Sequence, residues 1–179
     1  MSLSYFQDTF IHEDEKLWYR LIHEIYESFQ QYEDQLRIVK EKASELRRSI
    51  REVDAFIESL TGKVCTTCTN VCCINKHAYA DHIDLVYLIA LEHPIPTLKP
   101  HLNEYDPCQF LSASGCTIER AYRPFRCNWY FCPSLIDYMD KNQGRAMRLF
   151  SERMKYIINK RREMAESFVS FLASGKSPL

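Results

Sequence analysis

Glycine is almost absent from this chain, with four residues in 179. A fold rich in tight turns and bulges needs more of it, so helix is the expected element. There is no P-loop and no glycine fingerprint for a dinucleotide or a methyl donor. No window of eighteen or more apolar residues occurs, and no transmembrane span is expected. Met1 to Asp14 lacks a basic stretch followed by an apolar run. No signal peptide is therefore expected, and the expected compartment is the cytoplasm. The formal net charge is −1, which does not favour nucleic acid or a membrane surface as partner. No nucleophile constellation is present. No carboxylate pair stands apart from the solvated helix faces, since Asp81 and Asp84 suit the start of a helix. No reaction is assigned. Cysteine is absent from the first 64 residues and from the last 47.

What cysteine there is lies in one stretch: Cys65, Cys68, Cys72, Cys73, Cys108, Cys116, Cys127 and Cys132. Random placement would not leave both arms empty. In a reducing cytosol stable disulfides are rare, and clustered thiolates hold metal or perform redox chemistry.

The arms carry a different pattern. Apolar positions step by four and three from Trp18 through Ile22, Ile25, Phe29, Tyr32, Leu36, Val39, Ala43, Leu46, Ile50, Val53 and Ile57 to Leu60. This is a coiled-coil seam of six heptads with no Gly or Pro inside it. Gly62 follows where a C-cap glycine belongs. One continuous helix there spans about 65 Å. The C-terminal arm repeats the spacing through Met147, Phe150, Met154, Ile157, Arg161, Met164, Phe168 and Phe171, with Arg161 the polar intruder. Gly144 precedes that arm and Gly175 follows it.

The two helices leave the cysteine stretch from opposite ends and are expected to pack antiparallel, Leu60 near Met147 and Leu36 near Phe171. The long helix then outruns its partner by roughly eighteen residues, or ~27 Å. In that overhang Leu17, Tyr19, Leu21 and Tyr26 widen the apolar face. An exposed stripe of that width is a liability. The expectation is a homodimer or protein partner covering it, or a break that folds it back. Both stripes also suit a plain bundle core.

The middle third is irregular. Asp81 to Glu92 reads as one helix with Asp81 as N-cap and Ile83, Val86, Leu88 and Ile89 buried. The proline-rich run from His93 to Pro100 reads as an extended loop. Phe110-Leu111 and Cys116-Thr117-Ile118 suit a short hairpin around Ser114-Gly115. The expected fold is mainly α, with long antiparallel coiled-coil-like helices flanking a small cysteine-rich metal-binding domain. Its segments are 1–62, 63–142 and 143–179.

Cys65-x2-Cys68 can grip one metal while backbone N–H groups of the loop point at the sulfurs. Cys72 and Cys73 follow after three residues, and neighbouring cysteines tend to point apart. One can share the metal of Cys65 and Cys68 while the other packs or serves a second site. Cys108, Cys116, Cys127 and Cys132 are too widely spaced to form a knuckle alone and must be gathered by the fold.

Four blocks together resemble a family. They are Cys65 to Cys73, Cys108-Gln109-Phe110-Leu111, Gly115-Cys116-Thr117-Ile118 and Arg123-Pro124-Phe125-Arg126-Cys127. Their order is similar to that of the YkgJ-type cysteine-cluster family, described as a zinc- or iron-chelating domain. A bacterial flagellin lysine methylase is similar in its cysteine block. The resemblance covers about residues 63 to 133. This chain has three residues rather than two before the cysteine pair, and the long N-terminal helix lies outside the family pattern.

The resemblance implies Zn2+ or an iron cluster. Zinc takes four tetrahedral ligands, and eight thiolates could fill two such sites. A [4Fe–4S] cluster also takes four thiolates, commonly three close in sequence and one distant. Lys63, Lys76, Arg120, Arg123 and Arg126 could offset thiolate charge or serve as ordinary surface charge. Trp129, Tyr130 and Phe131 suit a dry wall beside a cluster, or core packing. His77 and His82 could complete a mixed site, while His12, His23, His93 and His101 carry no special spacing. Three classes of function remain: a structural or sensory metal module on a helical stalk, an iron–sulfur redox or enzyme component working with another chain, and a metal carrier or store.

Overall fold

A computed structural model of the chain describes residues 14–97, 99, 102–142 and 144–174. His12, Leu98, Pro100, His101 and Gly175 lie outside the described residues. The fold is mainly helical. In chain order it runs α1 (Glu15–Gln31), α2 (Glu33–Val64), α3 (His82–Ala90), β1 (Leu111–Ser112), β2 (Gly115–Cys116), α4 (Arg126–Trp129), α5 (Pro133–Asn142) and α6 (Gly144–Ala173). Single 3-10 turns occupy Cys65–Thr67, Asn75–His77 and Arg120–Tyr122. The described residues divide into two compact units. One takes the chain up to Leu46, the stretch from Tyr79 to Lys99 and the chain from Lys160 on; the other takes Arg47–Ala78 and Leu102–Asn159.

In the first unit, Asp14 caps α1 by accepting the Leu17 N–H at 3.0 Å. Trp18, Leu21, Ile25 and Phe29 are buried, and α1 packs on α3. The centre of the stripe is thus buried within one chain, while Tyr19 and Tyr26, which widen it, are exposed. The expected single helix from Trp18 to Leu60 is interrupted at Tyr32, which leaves helical geometry at φ −123 and ψ 42. No Gly or Pro causes this. The buried Ser28 hydroxyl donates to the Glu24 carbonyl at 2.8 Å, a back-bond that bends helices. Glu33 and Asp34 then open α2, where negative charge favours a new N-terminus.

The seam continues without a miss. Leu36, Val39, Ala43 and Leu46 are buried in this unit, with Met164, Phe168 and Phe171 of α6. Phe29 stacks on Phe168 at 5.9 Å between centroids, and Tyr32 meets Phe171 at 5.3 Å. Burying one full-sized side chain of this kind stabilises by ~1.5–3 kcal/mol. The helix read over 81–92 is α3, and it is two residues shorter at its C-terminal end. Asp81 and Asp84 form a reciprocal capping box at 2.9 and 3.1 Å. Arg161, the polar intruder of the seam, donates to Asp81 Oδ2 at 2.7 Å and to Asp84 Oδ1 at 3.0 Å.

In the second unit, the end of α2 runs antiparallel to the start of α6. Phe56 meets Phe150 at 5.1 Å, and Arg153 pairs with Glu52 at 3.3 Å. Ile50, Val53, Ile57 and Leu60 are buried, as are Phe150, Met154 and Ile157. Leu60, Cys132, Leu135 and Met139 form an apolar cluster, with Val64, Cys72 and Met147 packed against it. Leu60 and Met147 therefore share one apolar cluster, as the antiparallel pairing expects. Two helix ends differ from expectation. α2 passes through Gly62 to Val64, so Gly62 is not its cap, and α6 begins on Gly144 itself. The stretch before α6 contains α5, which places Pro133 at a first helical position that suits it.

Candidate metal centre

All eight cysteines fall in the second unit, and all are free thiols. Cys65 sits where α2 ends. The 3-10 turn from Cys65 to Thr67 closes with the Cys68 N–H on the Cys65 carbonyl at 3.2 Å. This is a compact C-x2-C loop. The Cys68 thiol donates to the Asn70 carbonyl at 3.2 Å.

A short antiparallel pairing joins the two halves of the cysteine block. The Cys108 N–H donates to the Cys73 carbonyl at 2.8 Å, and the Asn75 N–H donates to Asp106 at 3.1 Å. Ile74 and Pro107 face each other between them. The fully buried Asn75 side chain fastens this pairing. Its amide donates to the Asn103 carbonyl at 3.0 Å, and its oxygen accepts the Gln109 N–H at 2.9 Å. Sequence reasoning missed Asn75. The only signal was its place two residues after the cysteine pair.

The expected hairpin is present. Leu111 stands opposite Cys116 and Ser112 opposite Gly115, with Gly115 at φ +109, a conformation that suits glycine. The Leu111 N–H bonds the Cys108 carbonyl at 2.8 Å, so Cys108 and Cys116 belong to one local structure. The Arg-Pro-x-x-Cys segment is a turn in which the Cys127 N–H donates to the Pro124 carbonyl at 2.9 Å. Arg123 is fixed by its own bond to the Ile118 carbonyl at 2.7 Å.

Arg120 is neither a surface charge nor a free counter-ion. It is 4% exposed. It donates to Asp54 at 2.7 Å, to Glu58, and to the Cys127 carbonyl at 3.4 Å. Both carboxylates project from α2, so this one side chain pins the Cys127 segment to that helix. Arg120→Met is expected to destabilise the second unit by about 2 kcal/mol. That is less than the ~3–5 kcal/mol of a fully buried pair, because Asp54 and Glu58 keep access to water. Urea denaturation of wild type and variant checks the figure, and an unchanged midpoint refutes it.

The thiols feel one another. Cys72 packs on the apolar cluster that contains Cys132, and it feels both Cys73 and Cys132. Its proton is held by the bond to Cys73 and by burial, so its pKa is raised. Cys73 is lowered to about 6, first by the bond from Cys72 and then by Arg123 and Arg120. Burial raises Cys65, with the Cys73 and Cys132 charges adding to it. Burial also raises Cys108, where Cys116 and Cys73 are the thiol neighbours. Cys127 is pushed up to about 12 by burial and then by Cys116 and Cys108.

The other expected participants separate. His77 is in the cysteine unit. Its ring lies 4.4 Å from Tyr130, its carbonyl accepts the Cys127 thiol at 3.7 Å, and its buried Nδ1 has no partner. Burial, Arg126 and Lys76 lower its pKa. His82 belongs to α3, in the first unit. Trp129 and Tyr130 are exposed rather than part of a dry wall or core. Phe131 alone packs inward, 5.2 Å from Phe150. A groove of about 510 Å³ in the first unit is lined by Tyr26, Phe29, Lys40 and Glu92, but Lys40 is tied to Glu33 and Glu92.

Among the described residues, no three Cys, His, Asp or Glu side chains already stand together as a set that could hold a metal ion. The donor chemistry nevertheless suits a thiophilic metal. Eight thiols outside any disulfide share one unit, and Cys72 packs on the apolar cluster that holds Cys132. Asn128, next to Cys127, is 1% exposed, and neither its amide nitrogen nor its oxygen has a partner. A thiolate sulfur would accept a bond from such an amide. Family models, curated proteins and solved structures gave no match to this chain.

Proposed function

We propose that this chain is a metal-binding protein of the kind the YkgJ-type resemblance implies, chelating zinc or an iron–sulfur cluster through its clustered cysteines. The metal acts as a structural or sensory element rather than as part of an assigned reaction. One observation carries the reading. Among the described residues of 65–78 and 102–132, the buried apolar residues are Ala78, Ala121, Pro124 and Cys132. So small a core does not offset an ordering cost of ~1–2 kcal/mol per residue. Stretches of this kind are stapled by disulfides or by metal, and these eight thiols are not in disulfides. Anaerobic purification, a visible spectrum and elemental analysis test the reading. A brown protein with broad absorbance carries an iron–sulfur cluster; a colourless one with stoichiometric zinc carries zinc. A protein that holds neither, and takes up neither on reconstitution, overturns the proposal.

Exposure of Cys65 and Cys73 favours a second reading, a carrier with exchangeable metal. Competition with a chromophoric chelator separates the two. A carrier gives up its metal within minutes and keeps its fold.

A further inference from the structure

We infer that the eight thiols form two four-cysteine metal sites that divide the adjacent pair, one from Cys65, Cys68, Cys72 and Cys132 and the other from Cys73, Cys108, Cys116 and Cys127. The inference rests on the metal-binding reading above and sets the number of ions and the ligands of each.

The first set is gathered at the end of α2. Cys72 and Cys132 lie together in the apolar cluster with Leu60, and Val64 packs on the same cluster immediately before Cys65. The Cys65–Thr67 turn ties Cys68 back to Cys65. The second set is gathered by the pairing of the two halves. Cys73 and Cys108 share a main-chain hydrogen bond at 2.8 Å. Cys116 stands across the hairpin from Leu111, whose N–H returns to Cys108. The Cys127 thiol donates to the His77 carbonyl at 3.7 Å, in the turn that directly follows this pairing, and it feels the Cys116, Cys108 and Cys73 charges.

Cys73 is felt by both sets, because its charge also reaches Cys65. Cys72 decides the assignment. It packs on the apolar cluster that contains Cys132, whereas its neighbour Cys73 is the residue whose carbonyl pairs with Cys108. Cys72 therefore belongs with Cys132, and four-coordination of the second site requires Cys73. The chain is extended at Ile74, directly after the pair, and adjacent residues of an extended chain project to opposite sides, a geometry by which one backbone would serve both sites. Closing each shell requires side-chain rotation, since no three donors yet converge among the described residues.

Anaerobic titration of the full-length apoprotein with Co2+ tests this, read by thiolate-to-cobalt absorption and native mass spectrometry. Two ions per chain are expected. Cys127→Ser with Cys73→Ser removes one ion, because both belong to one site. Cys127→Ser with Cys72→Ser removes both. One ion in the wild type, or the reverse pattern in the double variants, overturns the division and leaves the metal-binding reading standing. No bound ion overturns that reading itself. The wild-type stoichiometry decides between one site and two even where a variant fails to fold.

Discussion

Arg161→Leu is expected to destabilise the first unit by about 3–4 kcal/mol at pH 8 and by much less at pH 5. Leucine is the residue the seam pattern would place there, and the cost comes from what it abandons. Asp84 has a side chain only 9% exposed. Its neighbouring charges are Asp81, which is more than half exposed, and the guanidinium of Arg161. Burial and then the Asp81 charge raise Asp84 to about 6, against the pull of Arg161. Burial by itself lowers Arg161, but Asp84 and Asp81 hold it above its ordinary value. A carboxyl whose folded pKa lies above its unfolded value of ~3.9 binds its proton more tightly when native. It therefore adds stability as pH falls from 6 towards 4 and loses it as pH rises through 6. Without Arg161 the ionised form is more costly still, so the deficit of the variant is concentrated above pH 6. His82, whose pKa burial lowers, titrates in both proteins and drops out of the difference. Urea denaturation followed by Trp18 fluorescence in a Trp129→Phe background measures it. Equal losses at pH 5 and pH 8 would mean that packing, not charge, is what Arg161 supplies.

That same residue marks the boundary of what the sequence makes legible. The seam is legible because burial enforces a strict period. Every seam residue from Leu36 to Leu60 is buried, and the antiparallel pairing follows from chain direction. The capping box of α3 and the hairpin at Gly115 are local chemistry and are read locally. The interruption at Tyr32 is not, because it arises from a buried serine hydroxyl turning back on its own helix rather than from Gly or Pro. Arg161 and Arg120 read as an intruder and a surface charge because their partners lie 77 to 80 and 62 to 66 residues away. Trp129 and Tyr130 read as packing because large aromatics usually pack, yet α4 ends there and leaves them outside. The cysteines are legible as one block, and all eight fall in the second unit. The partners of Cys72 and Cys73 are not legible, because spacing alone cannot tell which way each of two adjacent thiols faces.

Chelation of the metal-loaded protein is expected to release residues 65–78 and 102–132 while the α2–α6 core of the same unit stays folded. The two regions are held by different forces. Ile50, Val53 and Ile57 are buried, as are Phe150, Met154 and Ile157, in a helical core that meets thiols only at its Leu60 end, where Cys132 and Cys72 pack. The cysteine segments have turns, two-residue strands and the Asn75 pairing. Their proposed metal–thiolate bonds supply the rest, ~10–16 kcal/mol of apparent binding energy per structural zinc. Hydrogen exchange under anaerobic conditions should show protection falling about a hundredfold or more in the cysteine segments and less than about tenfold in 47–60 and 150–159. Equal loss throughout would mean that the thiols hold the helices together as well. Unchanged protection, with metal shown to have left, would remove the structural role and favour the carrier reading, because a site that gives up its ion without cost is built for exchange. The outcome turns on Arg120, which fastens the Cys127 segment to α2 without any metal. Combined with Arg120→Met, chelation should extend the loss of protection to the Arg120–Trp129 stretch beyond what either change produces alone.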